Sequence, residues 1–336
     1  MRKRFVLAGL AVVAVVLSGC AGEAEPTPTP TTQSPTPTPT PTEEPAAILH
    51  PLTGAVLDTA ATGPSIAAKI DNHPLARPQI ALSQADIVFE ELVEGGMTRY
   101  VAIWQSDMPD QIGPVRSIRP MDPGIISSFN GIIAYSGGQQ RFIDLMQASP
   151  VYNAIHGAAD TADFMYRINR PAPHNVVLDA QAFQTAHSDL DAPPQQFLFP
   201  SEEGEVPSAN AGTPATSVNA QFSPGQQRQW ACENDAWVRA QNGTPDVDDS
   251  GARITATNVL AINVGIGDNG GVPETAIVGS GTGVLVSGCN SIPVNWSKED
   301  ATSPIVLTTE SGDPVLLAPG KTWIELVPVG QPVVVS

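Results

Sequence analysis

Basic residues are scarce in this chain. Sixteen Lys and Arg stand against 34 Asp and Glu in 336 residues, a formal charge of −18 at pH 7. So acidic a surface repels nucleic acid and anionic lipid headgroups, which argues against both as surface partners. The apolar run from Phe5 to Gly19 falls short of the ~20 residues a membrane helix needs. No serine sits in a GxSxG elbow, and the glycine turn “YSGGQQ” lacks the lysine of a P-loop, so neither of those catalytic signatures is present. Only three cysteines occur, Cys20, Cys232 and Cys289. No His or Asn motif stands beside Cys232 or Cys289, so nothing marks either as a nucleophile.

The N-terminal end of the chain carries the clearest signals. “MRKRFVLAGLAVVAVVLSGC” has Arg2, Lys3 and Arg4 ahead of the apolar run, the order of an export signal. Leu17-Ser18-Gly19-Cys20 resembles the bacterial lipobox, which implies cleavage after residue 19 and acylation of Cys20. More than one acyl chain would hold the protein firmly to the outer face of the cell membrane. Removing the leader takes away three cations and no acid, so the mature chain is more acidic still. Residues 20–47 are a Thr-Pro repeat, which cannot bury a core and favours extended polyproline II at ~3.1 Å per residue. The repeat reads as a stalk on the order of 75 Å long.

Beyond the stalk the chain divides by composition. Residues 48–190 alternate strand-like and helix-like runs, indicating a mixed-sheet α/β domain. “TRYVAIWQS” and “QIGPVRSI” read as two strands of a hairpin about “DMPD”, and “DPGIISSF” reads as a helix with Asp122 as its N-cap and Pro123 at the first position. Residues 191–217 are rich in Pro, Ser, Gly and acids and read as a linker. Residues 218–336 are short β-type runs broken by Gly, Asn, Asp and Pro, indicating a smaller all-β domain. In an exported chain whose Cys20 is lipidated, Cys232 and Cys289 are the one remaining pair of thiols, and a disulfide between them is expected.

The candidate site lies in the first domain. Lys69, Lys298 and Lys321 fall outside its motifs, whereas arginines recur beside Pro or Gly in “ARPQ”, “GGMTRY”, “GPVRSIRP” and “NRPAPHN”. Proline holds the local backbone, and guanidinium suits bidentate contact with phosphate or carboxylate. Arg99, Arg116 and Arg119 are the expected centre of an anion site, with Arg77, Arg170, His174 and Asn175 contributing. Asp71, Glu91 and Glu94 would orient those arginines or hold a cation, for which Mg²⁺ is a candidate, although their spacing matches no metal loop. The competing reading is that the arginines pair internally with Asp71, Glu90, Glu91 and Glu94. His174 opens a strand and is a candidate general base.

“AAKIDNHPLARPQIALSQADIVFEELVEGGMTRYVAIWQS”, “QIGPVRSIRP”, “YSGG” and “RPAPHNVV”, in that order, resemble the YerB-like bacterial lipoproteins, a two-domain family without an established reaction. The tail “GSGTGVLVSGCNSIPVNWSKED…GDPVLLAPGKTWIELVPV” resembles that family's C-terminal β domain. Gln139-Gln140 after the glycines departs from the family's Ser-Pro-like pair. The resemblance implies an envelope location and a two-domain division. A shorter likeness, of “VRSIRP” to the arginine-bearing “SIPRD” region of the LytR-CpsA-Psr phosphotransferases, implies as an alternative an enzyme acting on a phosphate-bearing, lipid-linked precursor.

Overall fold

“IAAKID” is buried along its whole length and forms β1, Ile66–Asp71, in the computed structural model, which describes residues 47–202 and 204–336. The leader, Cys20 and the stalk up to residue 46 lie outside the described residues. β2, Ile87–Leu92, and β3, Thr98–Trp104, are also buried. β3 pairs antiparallel with β1 on one side and with β2 on the other.

β4, Gln111–Val115, does not form the hairpin with β3 that the sequence suggests. β1 lies between them, meeting β4 at Ile70 and Val115. With both edges of β3 taken, β4 has no edge to pair with. Asp86 also accepts the backbone N–H groups of Gln105 and Ser106 at 2.7 and 2.9 Å, which turns the chain aside at the end of β3.

Two short helices follow. α1, Asp122–Ile126, has Met121 rather than Asp122 at its N-cap. Asp122 is already helical, and its carboxylate is committed to tertiary partners described below. β5, Ile132–Tyr135, runs parallel to β1 and, beyond α2, Gln140–Gln147, pairs in parallel with β6, Tyr152–Ile155. β1 thus carries β5 along its first half and β4 at its end, and the sheet forks there. β7, Met165–Arg167, and β8, Val176–Asp179, continue antiparallel from β4, and α3, Ala180–Ala186, follows β8 at once.

Among the described residues after 212, the helical and strand elements are all strands. β9, Ser217–Ser223, β10, Gln226–Glu233, and β11, Ala236–Gln241, form an antiparallel meander. Its second turn uses Asn234 and Asp235, both at positive φ, as a tight hairpin requires. β12, Asn258–Asp268, pairs antiparallel with both β13, Pro273–Ala276, and β14, Gly279–Ser287, and β14 forms a hairpin with β15, Asn290–Lys298. β16, Thr322–Pro328, then inserts in parallel between β12 and β2. The large sheet is therefore mixed and continuous across both halves of the sequence, and the described residues make one compact unit.

Alternation along these buried strands supplies two cores. Ala67, Phe89, Val101, Ile103, Ile262 and Ile324 face one side, under Ile118, Met121, Ile125, Phe129 and Phe142. Ala68, Ile70, Tyr100, Trp104 and Trp323 face the other, under Val218, Trp230 and Trp237 of the meander. The stretch expected as a linker packs against the first core through Phe197 and Phe199. Cys232 and Cys289 form the expected disulfide, with Cα atoms 5.5 Å apart, tying β10 to the turn between β14 and β15.

Candidate anion site

Strand register brings the site together. Arg99 is directly opposite Asp71 on β1 and opposite Glu91 on β2. Residues opposed across adjacent strands share a face, and so do residues two apart on one strand. Asp71, Arg99 and Glu91 therefore form a row on one face, with Lys69 behind Asp71. The following loop, Arg116 to Arg119, leaves β4 and settles into the fork. The Arg116 N–H donates to the Lys69 carbonyl at 2.7 Å, and its carbonyl accepts from Ser136 N–H at 3.1 Å. The Ile118 N–H donates to the Gly137 carbonyl at 3.1 Å; Gly137 takes φ 91°, which its missing Cβ permits. The arginine loop is thus clamped against the “SGG” turn at the carboxyl end of β5, where α/β sheets commonly bind ligands.

The three central arginines and His174 surround Asp71 and Glu94. Arg119 Nε donates to Glu94 Oε2 at 2.7 Å, and its Nη1 to the Ile118 carbonyl at 2.8 Å. Arg116 Nε lies 3.4 Å from Asp71 Oδ2. His174 Nδ1 lies 2.6 Å from that same oxygen, and its ring stacks on His73 with centroids 4.3 Å apart. An imidazole facing a carboxylate through Nδ1 leaves Nε2 as the other proton-exchanging atom. Arg99 is 7% exposed and donates through Nη1 to the Ser117 carbonyl at 2.6 Å. No carboxylate pairs with it within 4.0 Å among the described residues.

The other expected contributors are held elsewhere. Arg77 Nη2 pairs with Asp246 Oδ1 at 2.5 Å. Arg170 Nη1 donates to the carbonyls of Ala76 and Pro78 at 3.0 and 2.8 Å. The Asn175 side chain bonds Arg167 and the Arg170 carbonyl, which shapes the loop that presents His174. Asp71, Glu91 and Glu94 each face a cation of the protein, and no group of three or more His, Cys, Asp or Glu placed to hold a metal occurs among the described residues.

Two participants escaped the sequence reading. Lys69 is fully buried and pairs with Glu91 and, at 2.6 Å, with Asp122 Oδ1. Asp122 Oδ2 accepts the Arg119 N–H at 2.5 Å, so the buried lysine braces the arginine loop. The available signal was the Lys-x-Asp alternation in an otherwise apolar strand, because a buried lysine must be paired.

Charge is unevenly matched here. Burial, and then the neighbouring Arg119 and Arg116, push Arg99 down to about 10. Burial, and then Asp122, push Glu91 up to about 8 against the pull of Lys69. Burial opposes ionisation of Glu94, but the hydrogen bond from Arg119, a backbone hydrogen bond and the charges of Arg119 and Arg99 together lower its pKa. The adjacent Glu90 points to the opposite face. There it pairs with Arg228 and Arg239, and Arg239 also binds Asp246, in a buried network between sheet and meander. That network accounts for Arg77 and Arg228 as structural arginines.

Fold and site together define a class: a two-part mixed-sheet protein with an arginine loop at the fork of its sheet. The chain belongs to the family described as “Protein of unknown function (DUF3048)”, whose N-terminal domain matches residues 52–192 and whose C-terminal domain matches residues 218–324. It is 27% identical over 297 residues to “Putative lipoprotein YerB” of Bacillus subtilis (strain 168), covering 83% of this chain and 86% of that protein. The crystal structure of YerB from Bacillus subtilis shares its fold, with a TM-score of 0.72 at 24% identity over 85% of this chain and 99% of that one.

Proposed function

We propose that this is a lipoprotein, anchored through Cys20 on the outer face of the cell membrane, that binds an anionic group of a cell-wall or lipid-linked ligand between Arg99, Arg116 and Arg119. The observation that carries the reading is Arg99. It is a buried cation with no carboxylate within 4.0 Å among the described residues, and burial and the like charges of Arg119 and Arg116 outweigh the pull of Asp71 and Glu94, so an added anion would relieve it. Internal pairing explains Arg77, Arg119 and Arg228 but not Arg99. In isothermal titration of the full-length Cys20→Ala chain, made without lipid in an oxidising cell-free system, inorganic phosphate should bind saturably. Arg116→Ala should weaken it ~10- to 150-fold, the loss of one charge-assisted contact. Unchanged affinity in a folded Arg116→Ala protein contradicts the site. Cys20→Ala should also release the protein from membranes or leave it unprocessed in cells; retention with acylation like wild type contradicts the anchor.

One observation favours the alternative of an envelope enzyme acting on a phosphate-bearing precursor. Asp71 holds both His174 and Arg116 on a single oxygen, placing a general base beside an anion-binding group. Release of p-nitrophenol from p-nitrophenyl phosphate, abolished in His174→Gln, would establish that reading over a binding role.

A further inference from the structure

Glu91 stands opposite Arg99 across β2 and β3, so its carboxylate and the unpaired guanidinium share one face of the sheet. The Glu91 side chain is wholly buried. Lys69 Nζ donates to its Oε1, and its Oε2 has no hydrogen-bond partner. A carboxylate oxygen with neither a donor nor water beside it is poorly placed to carry charge.

One cation serves two carboxylates here. The Lys69 ammonium that contacts Glu91 also lies 2.6 Å from Asp122 Oδ1, and all three side chains are fully buried. A single buried amine neutralises one of two buried acids, and the other is more stable with its proton. Asp122 has a further donor, because its Oδ2 accepts the Arg119 N–H at 2.5 Å. Glu91 has none, so Glu91 is the acid that keeps the proton. Burial and then Asp122 accordingly raise it to about 8. The charged groups that face it are Lys69 from β1, Arg99 from β3 and Asp122 from α1; the two cations favour its ionised form and Asp122 opposes it.

Arg99 therefore has two possible counter-ions. Glu91 supplies one from inside the sheet when it ionises, and a ligand supplies the other from the arginine loop. An external anion on Arg99 offsets the pull of the guanidinium on Glu91 and repels a second negative charge, and both effects keep the proton on Glu91. An ionised Glu91 satisfies Arg99 and weakens its hold on the ligand.

We infer that Glu91 is an internal competitor of the ligand, a buried acid that must hold its proton for Arg99 to hold an external anion, so that anion binding takes up a proton; this rests on the anion-binding reading and adds the regulation of that site. The sign follows from linkage. A bound anion raises Glu91 above its value in the free protein, so affinity is greatest below about pH 8 and falls as pH rises beyond it. If the bound anion raises Glu91 by one further pH unit, affinity falls about fivefold between pH 7 and pH 9.

Sulfate is the probe, because it does not itself titrate in this range. Isothermal titration of the full-length Cys20→Ala chain at pH 8.5, in two buffers of different ionisation enthalpy, counts the protons taken up per sulfate bound. Net uptake is expected, with affinity lower at pH 9 than at pH 7. Glu91→Gln fixes the uncharged form; it should bind sulfate with the same affinity at both pH values and take up no proton. If sulfate binds the Cys20→Ala chain without uptake and equally at both pH values, the inference fails while the anion site stands, whatever the variant does. Uptake that persists in folded Glu91→Gln belongs to another group, such as His174, and also overturns it. If sulfate binds at neither pH, the anion site itself is refuted.

Discussion

Replacing Arg99 by methionine separates a ligand-binding arginine from a structural one. Folding pushes the pKa of this side chain down to about 10, chiefly by burial and then by Arg119 and Arg116. A depressed pKa on a base means that the folded state disfavours the charge. At neutral pH the cost is on the order of 3 kcal/mol, and it is absent in a methionine. Against that gain stands the hydrogen bond to the Ser117 carbonyl at 2.6 Å, worth about 1.5–3 kcal/mol because its donor is charged. The two nearly cancel, so Arg99→Met should change stability by less than ~2 kcal/mol in urea unfolding. Phosphate affinity, measured by titration calorimetry on the same protein, should fall ~10-fold or more. A loss of more than ~4 kcal/mol in stability, with normal phosphate binding by the folded protein, would show that Arg99 is an internal brace and that the reasoning is wrong.

Other perturbations report on other parts of the structure. Arg239→Met leaves Glu90 and Asp246 partly unpaired in the buried network and should cost ~3–5 kcal/mol in urea unfolding. Phosphate affinity of the folded protein should not change, because that network lies on the other face of the sheet; a matching loss of affinity contradicts this separation. Reducing the Cys232–Cys289 bond opens a loop of sequence separation 57 and should cost up to about 4 kcal/mol. Mass analysis after alkylation without reductant should show no alkylation at either cysteine, and two additions there would refute the bond. Glu91, raised by burial and then Asp122 to about 8 from 4.5, favours its protonated form on folding. Its stabilising contribution is therefore complete below pH ~4.5 and is lost as pH rises through about 8. Glu91→Gln should flatten the fall in urea midpoint between pH 5 and 8, to which Glu325 also contributes, and an unchanged slope would contradict the assignment.

Local pattern made much of this protein legible, and long-range pairing made the rest illegible. The buried strands, the mixed sheet and the second, all-β half followed from apolar runs and their Gly and Pro breaks. The Cys232–Cys289 bond followed from counting thiols. The expected hairpin between β3 and β4 failed because β1, distant in sequence, fills the intervening place, and strand order is not encoded in the strand's own residues. Arg99, Arg116 and Arg119 were singled out by their Pro and Gly neighbours, and the structure brings them together. The same signal also picked Arg77, whose partner is Asp246 far along the chain. Lys69 and Asp122 were overlooked because burial, not local sequence, makes an ion pair of them.

The proposed site requires Arg99, Arg116 and Arg119 to hold one anion. Crystals of the full-length Cys20→Ala chain soaked in tungstate, a heavy tetrahedral anion, test this directly by anomalous diffraction. A peak should appear at the fork of the sheet, within hydrogen-bond distance of the Arg99 and Arg116 guanidinium groups, and be absent from Arg99→Met crystals. Well-occupied tungstate elsewhere on the molecule, with none at these arginines, would contradict it.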